Sequence, residues 1–302
     1  GVDLTGAYIV DDYREDWLQT PVAPGGTIAG GTIRWPLGTL AGGQTGSVTY
    51  DVCLKPAAEF PGETVMVVNI AMLDTDQTAP VAASAEIEVV GNVAPVAGLT
   101  GPSDGVRGQR RTFVLTADDS PADEAAGFTF QIDWGDGTSQ TIAPSPDNGA
   151  GTAVDHAYTE TGTYTVSMTA TDQGELVSDP VSHRLTITVG AIQACPCDPQ
   201  QTALAVGGTL ADDTIVFHPG EVAGYVTVEL NGVTLGTFQP TCAILAFGQA
   251  GDDNIQVAGA IELAAWLYGG AGNDRLKGGA GHDLLFGEEG DDLLVGGSGR
   301  DL

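Results

Sequence analysis

Basic side chains are scarce in this chain: 10 Lys and Arg stand against 40 Asp and Glu, for a formal charge of −30. A surface of that sign repels nucleic-acid phosphates and anionic lipid, so neither is expected as a partner, and divalent cations are its natural counter-ions. Helical periodicity is missing too. No long stretch spaces its apolar residues by three and four, whereas 44 Gly, 16 Pro and abundant Thr and Val favour β-structure. There is no run of about 18 apolar residues to span a membrane, and no charged-then-apolar start of the kind a leader peptide has. The four cysteines (Cys53, Cys195, Cys197 and Cys242) are too few for a disulfide scaffold. A bridge from Cys195 or Cys197 to Cys242 would tie the start of the last segment to its middle. The Cys-x-Cys pair is a poor zinc motif, because zinc prefers Cys-x-x-Cys with further ligands nearby. His156, His183, His218 and His282 lie in different contexts, and no GxSxG, HExxH or phosphate-loop pattern occurs, so catalysis is not expected. Adjacent acids such as Asp252 and Asp253 sit in glycine turns, not flanking a cleft as glycoside hydrolysis requires.

What remains is strand-like text. At 302 residues the chain is expected to hold two or three domains of roughly 100 residues, and its 42% hydrophobic content is enough to fold them. Residues 1–91 read as strands, "GTIRWPLGTL", "GSVTYDVCL", "TVMVVNIAML" and "SAEIEVV", bounded by Gly, Pro or Asp. Val48, Tyr50 and Val52 alternate with Thr49 and Asp51, the period of a sheet with one buried face. Trp35, Leu37 to Leu40, Gly42, Gly43 and Asn69 resemble the pattern of a β-sandwich repeat of unknown function found in bacterial cell-surface proteins. In that family two strands precede the one that "AYIVDD" matches, and here they are lacking. Either the chain starts at an arbitrary point, or another copy supplies the missing strand by β-strand addition.

Residues 92–190 form a second unit, opened by the extended "NVAPVAG". Its strands "RRTFVLTA", "FTFQIDW", "YTVSMTATD" and "HRLTITV" alternate cleanly, and "DWGDGT" makes a tight turn between strands. Trp134, Gly135, Asp136, Gly137, His156, Tyr158, Gly162, Tyr164 and Val166 resemble the motif of the polycystic-kidney-disease (PKD) domain, an Ig-like β-sandwich. The resemblance implies that His156 and Tyr158 pack at the sandwich end and catalyse nothing. It also implies a spacer or a protein- or carbohydrate-binding role. Some members bind calcium near an N-terminal loop, for which the acidic "ADDSPADE" is a candidate, although Asp-rich loops are commonly just solvated turns.

Residues 191–302 begin with an irregular β lead-in (191–246) and end in nine-residue repeats: GGAGNDRLK, GGAGHDLLF, GEEGDDLLV and GGSGRDL. They fit GGxGxDxUx with U apolar, except that Glu288 replaces a glycine. The pattern resembles the repeats-in-toxin (RTX) nonapeptide of the calcium-binding parallel β-roll. Calcium takes about six to eight oxygens, which turn carbonyls and paired carboxylates can supply. The candidate ligands are Asp274, Asp283, Asp292 and Asp301 with the turn glycines Gly270, Gly272, Gly279, Gly281 and Gly290. In this family two repeats make one coil, so Asp274 pairs with Asp292 and Asp283 with Asp301. Leu276, Leu285 and Leu294 would point inward, while Asn273, His282, Asp291 and Arg300 would face solvent. Two weaker copies, "TLADDTIVF" and "GQAGDDNIQV", contribute Asp253 as a cap to the first calcium turn and Asp213 as a residue of the fold only. Hairpin insertions such as "GYVTVELNGVTLGTF" must interrupt the roll between them.

The chain is therefore expected to be all-β: two Ig-like β-sandwiches followed by a calcium-binding β-roll, with Ca2+ as its cofactor. The expected role is an extracellular, secreted or cell-surface structural protein of a surface, matrix or fibre, able to assemble head to tail. Its partners would be calcium, copies of itself or other surface proteins, and polysaccharide, without nucleic acid or membrane insertion. The alternative is a non-catalytic carbohydrate- or protein-binding module of a larger secreted adhesin or enzyme.

Overall fold

The computed structural model describes residues 2–55 and 64–302. They fall into two compact units, Gly1–Pro95 with Thr171–Ser178, and Val96–Ala170 with Asp179–Leu302. The first unit is built on one antiparallel sheet, with strands in the spatial order Thr27–Ala29, Thr32–Leu40, Leu4–Asp12, Thr64–Asp74 and Val81–Val90. Tyr13, Ile33 and Trp35 are its buried anchors. The strand expected over 46–54 does not form: the segment makes only the isolated bridges Leu18↔Leu54 and Val22↔Asp51. Its alternation still serves, because Val48 and Tyr50 turn to one side and pack on the Trp35 cluster. What the pattern could not supply was a long neighbouring strand, so pairing is limited to the coil around 18–22. Asp11, 4% exposed, accepts hydrogen bonds from the Tyr50 hydroxyl (2.9 Å) and Asn69 Nδ2 (3.0 Å). Burial together with the Asp11 carboxylate pushes the Tyr50 phenol up to about 12.

Residues 96–170 and 179–188 of the second unit fold as an Ig-like sandwich. One sheet orders Ser139–Ile142, Thr129–Asp133, Gly162–Thr171, Val181–Thr188 and Asp104–Val106; the other orders Thr152–Ala157, Arg110–Asp118 and Val96–Thr100. Phe113, Leu115, Phe128, Phe130, Trp134, Val166 and Leu185 fill the space between them. In the 133–138 turn, Asp133 Oδ1 accepts from Gly135 N–H (2.8 Å) and Asp136 Oδ1 from Thr138 N–H (2.9 Å), with Gly135 and Gly137 in left-handed conformations. His156 stacks on Trp134, rings 4.4 Å apart and 3° from parallel, and its Nε2 meets Asp136 Oδ2 at 2.8 Å. Tyr158 donates its hydroxyl to the Trp134 carbonyl (3.0 Å). Both residues are thus engaged in packing. The acidic 117–124 stretch turns into a short helix, Pro121–Ala126, capped by Ser120.

Residues 190–302 wind into a two-sheet roll. One sheet orders Gly190–Ala194, Thr202–Gly207, Ala243–Ala250, Ala264–Ala271 and Leu284–Glu289, parallel after its first strand. Facing it, Thr214–Pro219, Asn254–Val257, Arg275–Lys277 and Leu293–Val295 run parallel. The antiparallel pair Val226–Leu230 and Val233–Phe238 extends that sheet, turning at Asn231-Gly232. This hairpin and its flanks account for the irregular spacing between Asp213 and Asp253. Ile215, Ile255 and Leu276 stack in register inside, each 0% exposed, and Leu285 (8%) lines the opposite wall. Leu294 continues the first ladder on the last strand of its sheet but is 46% exposed, so the expectation that it is buried fails for want of a covering strand among the described residues. A disulfide links Cys195 to Cys242.

The sandwich and the roll share a buried seam. Val106 sits among Ala203, Ala205, Ala243 and Leu245. Arg107 Nη2 donates to Gly207 O (3.0 Å), and the buried amides of Gln109 and Gln193 exchange two hydrogen bonds (2.9 and 3.1 Å).

Candidate metal centre

The strands of the roll leave from tight turns stacked along two edges. On one edge lie turns 208–213, 248–253, 269–274 and 287–292; on the other, 278–283 and 296–301. Stacking this close needs glycine at particular places. Gly290 has φ +130°, and a Cβ there would strike the carbonyl oxygen of Gly272 in the preceding coil. Gly270 and Gly272 are likewise left-handed, and a Cβ on either would strike Gln249 O or Gly251 O. Gly279 and Gly281 are not left-handed; they are close-approach glycines, set against Ile261 O and Leu263 O. At the second turn position Gln249 (φ 89°) and Glu288 (φ 73°) take the left-handed conformation without being glycine, a strain of about 1–2 kcal/mol each.

The aspartates form hydrogen-bonded columns. Oδ1 of each accepts the backbone N–H one coil earlier: Asp253 Oδ1 from Asp213 (2.7 Å), Asp274 Oδ1 from Asp253 (2.8 Å) and Asp292 Oδ1 from Asp274 (2.8 Å). On the other edge Asp283 Oδ1 accepts from Ala265 (2.8 Å) and Asp301 Oδ1 from Asp283 (3.1 Å). The pairs 274/292 and 283/301 thus lie in successive coils, with Asp253 and Asp213 above Asp274 in the same column. Asn273, His282, Asp291 and Arg300 are exposed and form a lesser ladder that spacing alone did not reveal. In it Asn273 N–H donates to Asp252 Oδ1 (2.8 Å), Asp291 N–H to Asn273 Oδ1 (3.0 Å) and Arg300 N–H to His282 Nδ1 (3.0 Å).

The second carboxylate oxygens are placed differently from the first. Oδ2 of Asp253, Asp274 and Asp283 is buried without a hydrogen-bond partner, in residues 2%, 2% and 0% exposed. An isolated buried carboxylate oxygen costs several kcal/mol unless a cation or proton answers it. Each lies against the first glycine of its own turn, where a carbonyl from the next coil also converges. A Cβ on Gly248 would strike both Asp253 Oδ2 and Gly269 O; one on Gly269 would meet Asp274 Oδ2 and Gly287 O; one on Gly278, Asp283 Oδ2 and Gly296 O. The donor set is all oxygen, suited to a hard cation such as calcium. Burial, then the charges of Asp274 and Asp213, pushes the Asp253 carboxyl up to about 7 against the hydrogen bond from Asp213 N–H. Asp274 and Asp283 are raised as well, chiefly by burial. Asp213 differs: Thr209 Oγ1 (2.9 Å) and the Thr209 N–H reach its Oδ2, and Asn231 Nδ2 reaches Oδ1 (2.6 Å). Asn231 comes from the hairpin, and the repeat pattern gave no sign that it would reach Asp213.

Comparison with known proteins agrees with this geometry. Residues 268–302 match the family model of the RTX calcium-binding nonapeptide repeat (4 copies), and residues 92–189 match the PKD domain. RTX repeats bind Ca2+, and both module types are non-catalytic and typical of extracellular proteins. No helix among the described residues is long and apolar enough to cross a membrane. Among solved structures, the PKD domain of an M14-like peptidase from a Thermoplasmatales archaeon is 28% identical, covering 32% of this chain and 97% of its own, with a TM-score of 0.29. A putative membrane-anchored protein from Corynebacterium diphtheriae is 12% identical, covering 76% of this chain and 54% of its own, with a TM-score of 0.28. No curated protein matches the chain.

Proposed function

We propose that this chain is an extracellular, calcium-stabilised structural protein of a cell surface, matrix or fibre, in which ions held between coils make the roll rigid. The observation that carries the reading is the trio of buried, partnerless Oδ2 atoms of Asp253, Asp274 and Asp283, each facing a carbonyl of the adjacent coil. Those three carboxylates, with Asp292 and Asp301 one coil on, are the proposed acidic ligands. Turn carbonyls, Gly270, Gly272, Gly279, Gly281 and Gly290 among them, complete the oxygen set. A bound ion supplies the positive charge that lets like-charged carboxylates stack; the chain's own part is to hold them in register through the Oδ1 hydrogen bonds. Extracellular modules bind calcium at roughly 10⁻⁴ to 10⁻³ M, which suits a protein that stiffens outside a cell.

Assembly of copies into a fibre is the second part of the proposal. It is supported by the ten-residue strand Val81–Val90, which ends its sheet and leaves one edge unpaired among the described residues. Apolar Ile70 (45%), Met72 (40%) and Ile87 (64%) stand exposed on the same two-strand margin. Long, exposed edge strands invite pairing with another chain. A calcium titration followed by electron microscopy and sedimentation tests both parts: fibres or concentration-dependent oligomers are expected in calcium, and a strictly monomeric species over a wide concentration range overturns assembly. Binding measured by calorimetry tests the ion separately. Absence of calcium binding overturns the ligand assignment whatever the assembly state.

A further inference from the structure

Among the described residues, one group of three ligating side chains comes within 4.8 Å: Cys195, Cys197 and Cys242. Two of these sulfurs are joined in the bridge. The third, Cys197, is an exposed free thiol whose Sγ lies 3.2 Å from Cys195 Sγ and 3.9 Å from Cys242 Sγ. Cys195 is 2% exposed and Cys242 is half-buried. The three are held together by the backbone of the turn: Cys195 N–H donates to Gln201 O (2.9 Å) and Asp198 N–H to Cys195 O (3.3 Å). The Asp198 carboxylate accepts from Gln200 N–H (3.1 Å) and Gln201 Nε2 (2.8 Å). A metal reading fails on the bridge, since a disulfide leaves a single thiolate to bind.

We propose that this cluster is a thiol-relay site, in which exposed Cys197 is the gateway for making and exchanging the buried Cys195–Cys242 bridge, with an accessible disulfide as its co-substrate. The reason is access. Exchange requires a thiolate to reach a sulfur of the incoming disulfide, and the buried Cys195 offers no such approach while Cys197 does. In the reduced chain, the Cys197 thiolate attacks one sulfur of R–S–S–R, forms Cys197–S–S–R and expels RS⁻. The Cys242 thiolate then attacks Cys197 Sγ, forming Cys197–Cys242 and expelling the second RS⁻. Finally the Cys195 thiolate attacks Cys242 Sγ, forming the bridge and returning Cys197 as a thiolate. Two protein thiols are oxidised, one external disulfide is reduced to two thiols, and the two protons lost from the protein thiols are taken up by the RS⁻ groups. Run backwards, the same steps let an external thiol open the bridge.

The test uses the full chain in calcium, in a Cys53→Ser background so that the other free cysteine does not trap the probe. The reduced protein is mixed with oxidised glutathione, quenched with acid at intervals, alkylated and mapped by mass spectrometry. The parent is expected to close Cys195–Cys242 about tenfold or more faster than Cys197→Ser, because the relay step is intramolecular, and early samples should carry glutathione on Cys197. In a Cys195→Ser variant the intermediate bridge Cys197–Cys242 should accumulate. Equal closure rates in the parent and Cys197→Ser, with circular dichroism showing both folded, overturn the proposal. So does a first adduct on Cys195 or Cys242 with none on Cys197.

Discussion

Without calcium, the roll should be more stable in mild acid than in mild base. Asp253 is the source of the figure: its carboxyl is pushed from 3.8 up to about 7, mainly by burial. A carboxyl whose pKa is higher folded than unfolded takes up a proton on folding, so its stabilising contribution is full below the unfolded value and is lost as pH rises through the folded one. Roughly three pKa steps at about 1.4 kcal/mol each give about 4 kcal/mol across the whole window. Roughly 2–3 kcal/mol of this falls between pH 5 and pH 8 by the same linkage. Asp274 and Asp283 are shifted in the same direction and steepen the trend. Urea unfolding in calcium-stripped buffer, followed by far-ultraviolet circular dichroism, should show the midpoint of the roll falling by about 1–2 M from pH 5 to pH 8. Asp253→Asn should flatten most of that slope. Calcium should reverse the trend, adding about 2.7 kcal/mol per site at a hundredfold excess over Kd. A calcium-free midpoint that is level or climbs with pH would refute the view that these oxygens are buried without a partner.

Chelation at pH 8 should destabilise residues 190–302 and not the sandwich, so in a proteolytic time course the roll should be cut first and a fragment bearing buried Trp134 retained; equal rates of loss for both would count against it. Leu276→Ala should cost about 2–5 kcal/mol as a fully buried site, whereas Leu294→Ala, half-exposed, should cost under about 1 kcal/mol; thermal melts in calcium compare them. Gly290→Ala, which brings a Cβ against Gly272 O at φ +130°, should cost more than about 2 kcal/mol and weaken calcium binding. Glu288→Gly should stabilise the calcium-loaded roll by up to about 1 kcal/mol, since it relieves a left-handed glutamate; a lower melting temperature would show that Glu288 supplies something its conformation does not reveal.

The repeat was legible because one nine-residue rule sets backbone, carboxylate and core leucine at once, so that its resemblance to the RTX nonapeptide placed Asp274, Asp283 and Leu276. Asp253 was found by its Ile255, two places on, although Gln249 stands where a glycine was wanted and adopts glycine's conformation anyway. The satisfaction of Asp213 was not legible, because its partner Asn231 arrives from an inserted hairpin. The 46–54 segment misled in the opposite sense: period-two alternation reports which side chains are buried, not whether a neighbouring strand exists to pair with. Nor did any motif announce Val106, Arg107, Gln109 and Gln193, whose importance lies in what they touch.

That last group has a mechanical consequence. A parallel coil is slow to begin, since its first turn must close a long loop before any contact rewards it. Here the opening strand Thr202–Gly207 lies against the sandwich, fastened at Gly207 by Arg107 and at its neighbour by the paired glutamines. The seam therefore holds the first parallel strand of the roll in place, so the coils that follow extend from an anchored edge and not from a free one.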